Sequence, residues 1–241
     1  MKYLLSALFG IIFFTNLEAQ ISLSTHFDVG ENNVSDGIYT QNSNIAAYQY
    51  GKMHVAGGVR LDIKSASENI FTGTALRFGR QFSIKEFPFE IEAHTIYYPF
   101  SNWVREFNWG VLAKIQLTHF RFKLGTSFRT YSLTQTAKQY TSPQSNDKIH
   151  ENWNLMYLAQ YNLKPVDFNW NVGVSITNID YFLINQETNP MINLNGRYEI
   201  SESLSLYAEA WYKASGFSNI SVNYFGFFIR TGIIWNIDLN K

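Results

Sequence analysis

Between Met53 and Ile63 the chain alternates. Met53, Val55, Gly57, Val59, Leu61 and Ile63 fall on one face of an extended backbone, and His54, Ala56, Gly58, Arg60 and Asp62 on the other. A period of two over about ten residues predicts a strand with one apolar side. The same pattern returns in Phe107-Trp109-Val111-Ala113-Ile115-Leu117 and in Phe120-Phe122-Leu124-Thr126-Phe128, opposite residues such as Lys114, Arg121, Lys123 and Arg129. It returns again in Phe168-Trp170-Val172-Val174-Ile176 and in Phe225-Phe227-Ile229-Thr231-Ile233-Trp235-Ile237. One face is lipid-like, and the other is small, polar or charged.

Carried along the whole chain, this periodicity predicts about twelve strands, at 20–29, 44–50, 53–63, 70–82, 88–98, 105–117, 120–131, 151–161, 167–177, 191–200, 204–213 and 223–238. Long polar connections (30–43, 132–150, 178–190) alternate with short ones such as Gly51-Lys52 and Thr118-His119. Short turns at one end and longer loops at the other belong to a membrane barrel, and an even strand number leaves both termini at the turn end. Unpaired backbone groups are not tolerated in hydrocarbon, so such a sheet must close. The expected fold is an all-β, closed antiparallel transmembrane barrel. A secreted β-sandwich or a lipocalin-like barrel would use the same alternation with its apolar face inside.

Composition narrows the classes further. Hydrophobic residues make up 46% and aromatics 17%, yet mean hydropathy is −0.17, so apolar residues are plentiful without forming helical spans. Lys2 followed by the apolar stretch 3–14 and by Leu17-Glu18-Ala19 reads as a signal peptide over 1–19, cut near Ala19/Gln20, leaving one barrel domain over 20–241. The location implied is an outer membrane. With 19 basic and 19 acidic residues the chain is neutral, which argues against nucleic acid as a partner. Cysteine is absent, excluding disulfides and thiolate chemistry.

Two resemblances follow from particular residues. Trp235, Ile237 and Leu239 resemble the last strand of outer-membrane barrels, which the barrel assembly machinery recognises, although the sequence runs on to Asn240-Lys241. Gly173-Val174-Ser175-Ile176-Thr177-Asn178-Ile179-Asp180, with Asn189-Pro190 and Arg197-Tyr198-Glu199-Ile200, resembles the later strands of the PorP/SprF family. That family belongs to a type IX secretion and gliding apparatus, and the Asn-Pro-Ala segment expected near its mature N-terminus is missing here. The resemblance implies outer-membrane lipid and a secretion or surface complex as partners.

If the apolar face meets lipid, the lumen receives His26, Asp28, His54, Arg60, Asp62, Arg77, Glu90, Glu92, His94, Glu106, Lys114, Arg121, Lys123, Arg129, Arg197, Glu199, Glu209 and Arg230. Hairpin registers bring Glu90 beside Lys114, Lys114 beside Lys123, and Glu209 near Arg230. Twelve strands enclose less space than an open porin, and charges of both signs in a confined lumen are expected to pair and plug it. A structural or secretion-associated barrel is therefore the leading expectation. A narrow channel for small solutes is the alternative.

Enzymatic constellations are not visible. His26, His54, His94, His119 and His150 are scattered, without HxxxH, HExxH or GxSxG spacing, so no catalytic residue, metal site or cofactor is expected. A lipid-acting enzyme is the least favoured reading. Tyr181-Phe182-Leu183-Ile184 is an apolar tetrad in a loop and a candidate partner contact.

Overall fold

Every strand pairs antiparallel with its neighbours in sequence, and the first pairs with the last. The computed structural model describes residues 19–32, 37–64, 70–84, 87–99, 102–140, 148–163, 168–180, 190–213 and 227–239. The strands are β1 (Ala19–Asn32), β2 (Gly37–Tyr50), β3 (Met53–Lys64), β4 (Phe71–Ile84), β5 (Phe87–Tyr98), β6 (Val104–Gln116), β7 (Phe120–Leu133), β8 (Lys148–Leu163), β9 (Trp170–Thr177), β10 (Met191–Glu199), β11 (Leu204–Lys213) and β12 (Phe227–Asp238). They form a closed up-and-down barrel sealed by β1 against β12, from Gln20↔Asp238 to Gly30↔Phe228. A single helical turn, α1 (Gln135–Lys138), follows β7, with the Thr134 side chain accepting from Ala137 N–H.

Both ends of the barrel are legible in the connections. Gly51-Lys52 and 117–119 mark the turn end, while 134–140 and 178–180 lie at the loop end. The outer surface between them is apolar. Phe27, Phe107, Val111, Leu124, Leu155, Val174, Leu194 and Ile229 all point outward and are exposed. Water would not tolerate a continuous belt of this kind, and hydrocarbon requires it. Aromatic residues edge the belt: Trp109, Phe128 and Trp153 form one row across β6, β7 and β8, and nearer the turn end Phe82 stacks on Phe89 and Phe120 meets Tyr161 at a tilt.

One element departs from the sequence-based expectation. Residues 30–43 read as a long loop, yet β1 continues to Asn32 and β2 begins at Gly37. After Ile38 the outward positions are Thr40, Asn42 and then Asn44, so the lipid-facing side turns polar and the apolar alternation is interrupted. Asn42 Nδ2 donates to Thr25 Oγ1 (3.1 Å) and to His26 O (3.0 Å), and Asn44 Nδ2 donates to Asn42 Oδ1 (2.5 Å), so local pairing offsets part of the cost of this polar patch. Smaller differences lie at strand ends: β8 starts at Lys148, and β9 starts at Trp170. The expected signal peptide up to residue 18, the tetrad 181–184 and residues 223–226 of the last expected strand lie outside the described residues.

Candidate functional site: the charged lumen

Inward positions carry the chemistry, because the pleat that turns Phe27 and Ile229 to lipid turns Asp28 and Arg230 into the lumen. At mid-height the lumen is crossed by ions. The seam register faces Asp28 with Arg230, and Arg230 donates from Nε to Asp28 Oδ1 (2.7 Å) and from Nη2 to Asp28 Oδ2 (3.1 Å). Arg60 of β3 donates to Asp28 Oδ2 from the other side. Arg230 Nη2 also donates to Asp180 Oδ2 (2.7 Å), and its Nη1 lies 3.5 Å from Glu209 Oε2. Trp211 Nε1 holds that same Glu209 oxygen at 2.7 Å. Asp28 and Arg60 are fully buried, and a charge so enclosed persists only when several partners satisfy it.

An apolar layer lies beside this network. Ala75, Ile96, Tyr98, Leu112, Met156 and Ile179 form one buried cluster, with Ile45 and Leu158 packed against it. Gly73 makes room for it: a Cβ there would lie 2.5 Å from Tyr98 Cδ1. Towards the loop end Tyr39, Met191, Trp211 and Phe228 form a second cluster, with the Arg230 guanidinium 5.6 Å from the Trp211 ring centre and 5.5 Å from that of Phe228.

Residues 178–180 leave the wall and enter the lumen. Thr177 Oγ1 donates to Tyr157 O (2.8 Å) and accepts from Ile179 N–H (2.9 Å). Asn178 replaces a strand neighbour for β8, accepting from Tyr157 N–H (2.9 Å) and donating to Leu155 O (2.6 Å). This turns Ile179 into the apolar cluster and Asp180 onto Arg230. Sequence reading placed Asp180 in an outer loop and missed it.

Below the occlusion a cavity of about 520 Å³ faces the turn end, lined by Arg121, Gln160, Asn162, Asn171, Asn195, Arg197 and Tyr207 and capped by Ile179, Asp180 and Arg230. Amides along its wall pair within their own strands: Gln160 Nε2 donates to Asn162 Oδ1 (2.8 Å) and Asn195 Nδ2 to Asn193 Oδ1 (2.7 Å). Arg121 Nε donates to Gln116 Oε1 (2.7 Å), Arg197 Nη2 to Ser205 Oγ (3.0 Å), and Tyr207 Oη meets His26 Nδ1 at 2.9 Å. A larger hollow of about 1020 Å³ lies on the lipid-facing surface over Ala46 and Gly57 and has no access to the lumen charges.

The remaining inward charges fall into place by register. Glu90 faces Lys114, whose Nζ donates to Glu90 Oε2 at 3.1 Å, and Lys114 faces Lys123. Glu209 faces Arg230, Asp62 faces Gln41, and Arg77 faces His94. Arg129 Nε is 2.9 Å from Glu106 Oε1, which also accepts from Asn108 Nδ2 at 2.7 Å. Glu92 meets His54 of β3, two strands away, at 3.6 Å.

No family model and no curated protein matches this chain. Solved structures do. The KdgM porin in complex with disordered oligogalacturonate matches with a TM-score of 0.54 at 9% identity, covering 89% of this chain and 98% of that one. The translocator domain of autotransporter NalP from Neisseria meningitidis matches at 0.46 and 13% identity, over 97% and 94% of the two chains. Acinetobacter baumannii Omp33 matches at 0.47 and 11%, over 92% and 100%. The chain thus has the fold of outer-membrane β-barrels. At these identities the likeness is one of architecture, and it carries no substrate with it.

Proposed function

We propose that this is an outer-membrane barrel whose lumen is closed at rest, serving as a structural or secretion-associated membrane component. The observation that carries the reading is the mid-lumen crossing of Asp28, Arg60, Arg230 and Asp180, backed by Ile96, Leu112, Met156 and Ile179. A hydrated solute has no path through buried ion pairs and packed aliphatic side chains. The secretion-associated part rests on the resemblance of residues 173–200 to the PorP/SprF family, and its partner would be a secretion or surface complex. Cross-linking in intact outer membranes tests it, a chain recovered without any specific partner being the adverse result.

A narrow channel for small polar solutes is the second reading, favoured by the amide-lined cavity below the closure. Residues 178–180 would then have to withdraw. Planar-bilayer recording separates the two. The refolded protein is expected to be silent, and Asp180→Ala, which releases the inward segment from Arg230, is expected to show discrete conductance. Steady conductance of the unaltered protein would replace the closed reading by the channel. No catalytic step enters either reading, and release of fatty acid from phospholipid by the purified protein would overturn that.

A further inference from the structure

Near the turn end, three adjacent strands converge on a point that sequence spacing did not disclose. His54 of β3, Gly79 of β4 and Glu92 of β5 stand in one row of the sheet. A Cβ at Gly79 would lie 2.0 Å from His54 Cε1, so the missing side chain is what lets the imidazole lie across β4 and reach β5. Its Nε2 is 3.6 Å from Glu92 Oε2 and 3.8 Å from Glu90 Oε1, and one ligand atom from each residue lies within 4.8 Å of the others. Glu90 is only 4% exposed. Its Oε2 takes Lys114, while its Oε1, the oxygen facing His54, is buried without a hydrogen-bond partner. A carboxylate oxygen in that condition is a costly arrangement unless something positive joins it.

We propose that His54 Nε2, Glu90 Oε1 and Glu92 Oε2 form a binding site for a divalent transition-metal ion of the zinc class. Zinc accepts imidazole nitrogen at about 2.0–2.1 Å and carboxylate oxygen at about 2.0–2.2 Å, which sets ligand atoms roughly 3.3 Å apart around a tetrahedral ion. The two separations from His54 need only a few tenths of an ångström of side-chain adjustment. The imidazole selects against magnesium and calcium, which prefer all-oxygen shells. The ion enters from the turn end, where the His54 side chain is 21% exposed, and solvent there supplies the fourth ligand. Lys114 on Glu90, and Lys123 and Arg77 near Glu92, oppose the added positive charge, so the affinity is micromolar rather than that of a structural zinc site.

The test is calorimetric titration of untagged, refolded protein with zinc and then with magnesium. One zinc ion per chain is expected, and magnesium in excess does not displace it. His54→Ala and the shape-conserving Glu92→Gln abolish binding. Gly79→Ala, whose methyl group occupies the space of the imidazole, weakens it by about 10–100-fold, the scale reached when the support of a ligand is lost. His119→Ala, in an exposed turn, leaves it unchanged. Heat-modifiable gel migration checks that each variant has closed its barrel, and Glu92→Gln decides the matter if His54→Ala does not fold. Absence of saturable zinc binding, or its persistence in His54→Ala or Glu92→Gln, overturns the proposal.

Discussion

On the β12–β1–β3 side of the lumen, Arg60 and Arg230 both donate to Asp28 across strands, and Arg230 reaches over to Asp180 beyond β9. On the β8–β10 side, Gln160 with Asn162 and Asn193 with Asn195 bind residue to next-but-one residue along a single strand. Both arrangements satisfy polar groups. The ionic one ties distant parts of the wall together, while the amide one leaves each strand to look after itself. Cross-lumen ties are therefore concentrated where long side chains carry full charge, and the amide wall can face water without loss.

The sharpest way to break this contrast is Arg230→Ala. It strips the guanidinium from the buried carboxylates of Asp28 and Asp180, and a loss of about 3–5 kcal/mol is expected, the usual cost of removing one partner from a buried ionic group. Urea unfolding in micelles, followed by tryptophan fluorescence, measures it. Gly73→Ala comes next, because the new methyl group meets the Tyr98 ring in the packed layer. Overpacking of this kind costs about 1–3 kcal/mol, and the lumen stays closed in conductance recordings. Asn195→Ala is the smallest. One partly exposed amide pair is lost, the effect stays within roughly 1 kcal/mol, and conductance remains absent. Equal losses for Arg230→Ala and Asn195→Ala would erase the distinction between the two sides.

How far the fold was readable depended on which face carried the signal. β3, β6, β7 and β12 announce themselves because apolar residues occupy most outward positions. The first half of β2 does not, because Thr40, Asn42 and Asn44 face outward and their pairing with Thr25 and His26 is invisible along the chain. Hairpin counting recovered Glu90 with Lys114 and Glu209 with Arg230, since adjacent strands fix those pairs. It could not recover His54 with Glu92, because a glycine on the intervening strand decides that contact. Nor could it recover Asp180, which acts after its strand has ended.

The Asp28–Arg230 pair joins residues 202 positions apart, across the seam where, among the described strands, two that are not consecutive in sequence meet. Forming it must await the docking of the last strand on the first, after nearly the whole chain has been ordered, and such long-range closure is slow. Until then Arg230 lacks the carboxylate of Asp28, which Arg60 can already hold from β3 within the first three strands. A strand docked out of register by one residue would turn Arg230 towards lipid and leave Asp28 facing the wrong side chain. The Asp28–Arg230 pair is thereby satisfied only when the barrel has closed in the correct register.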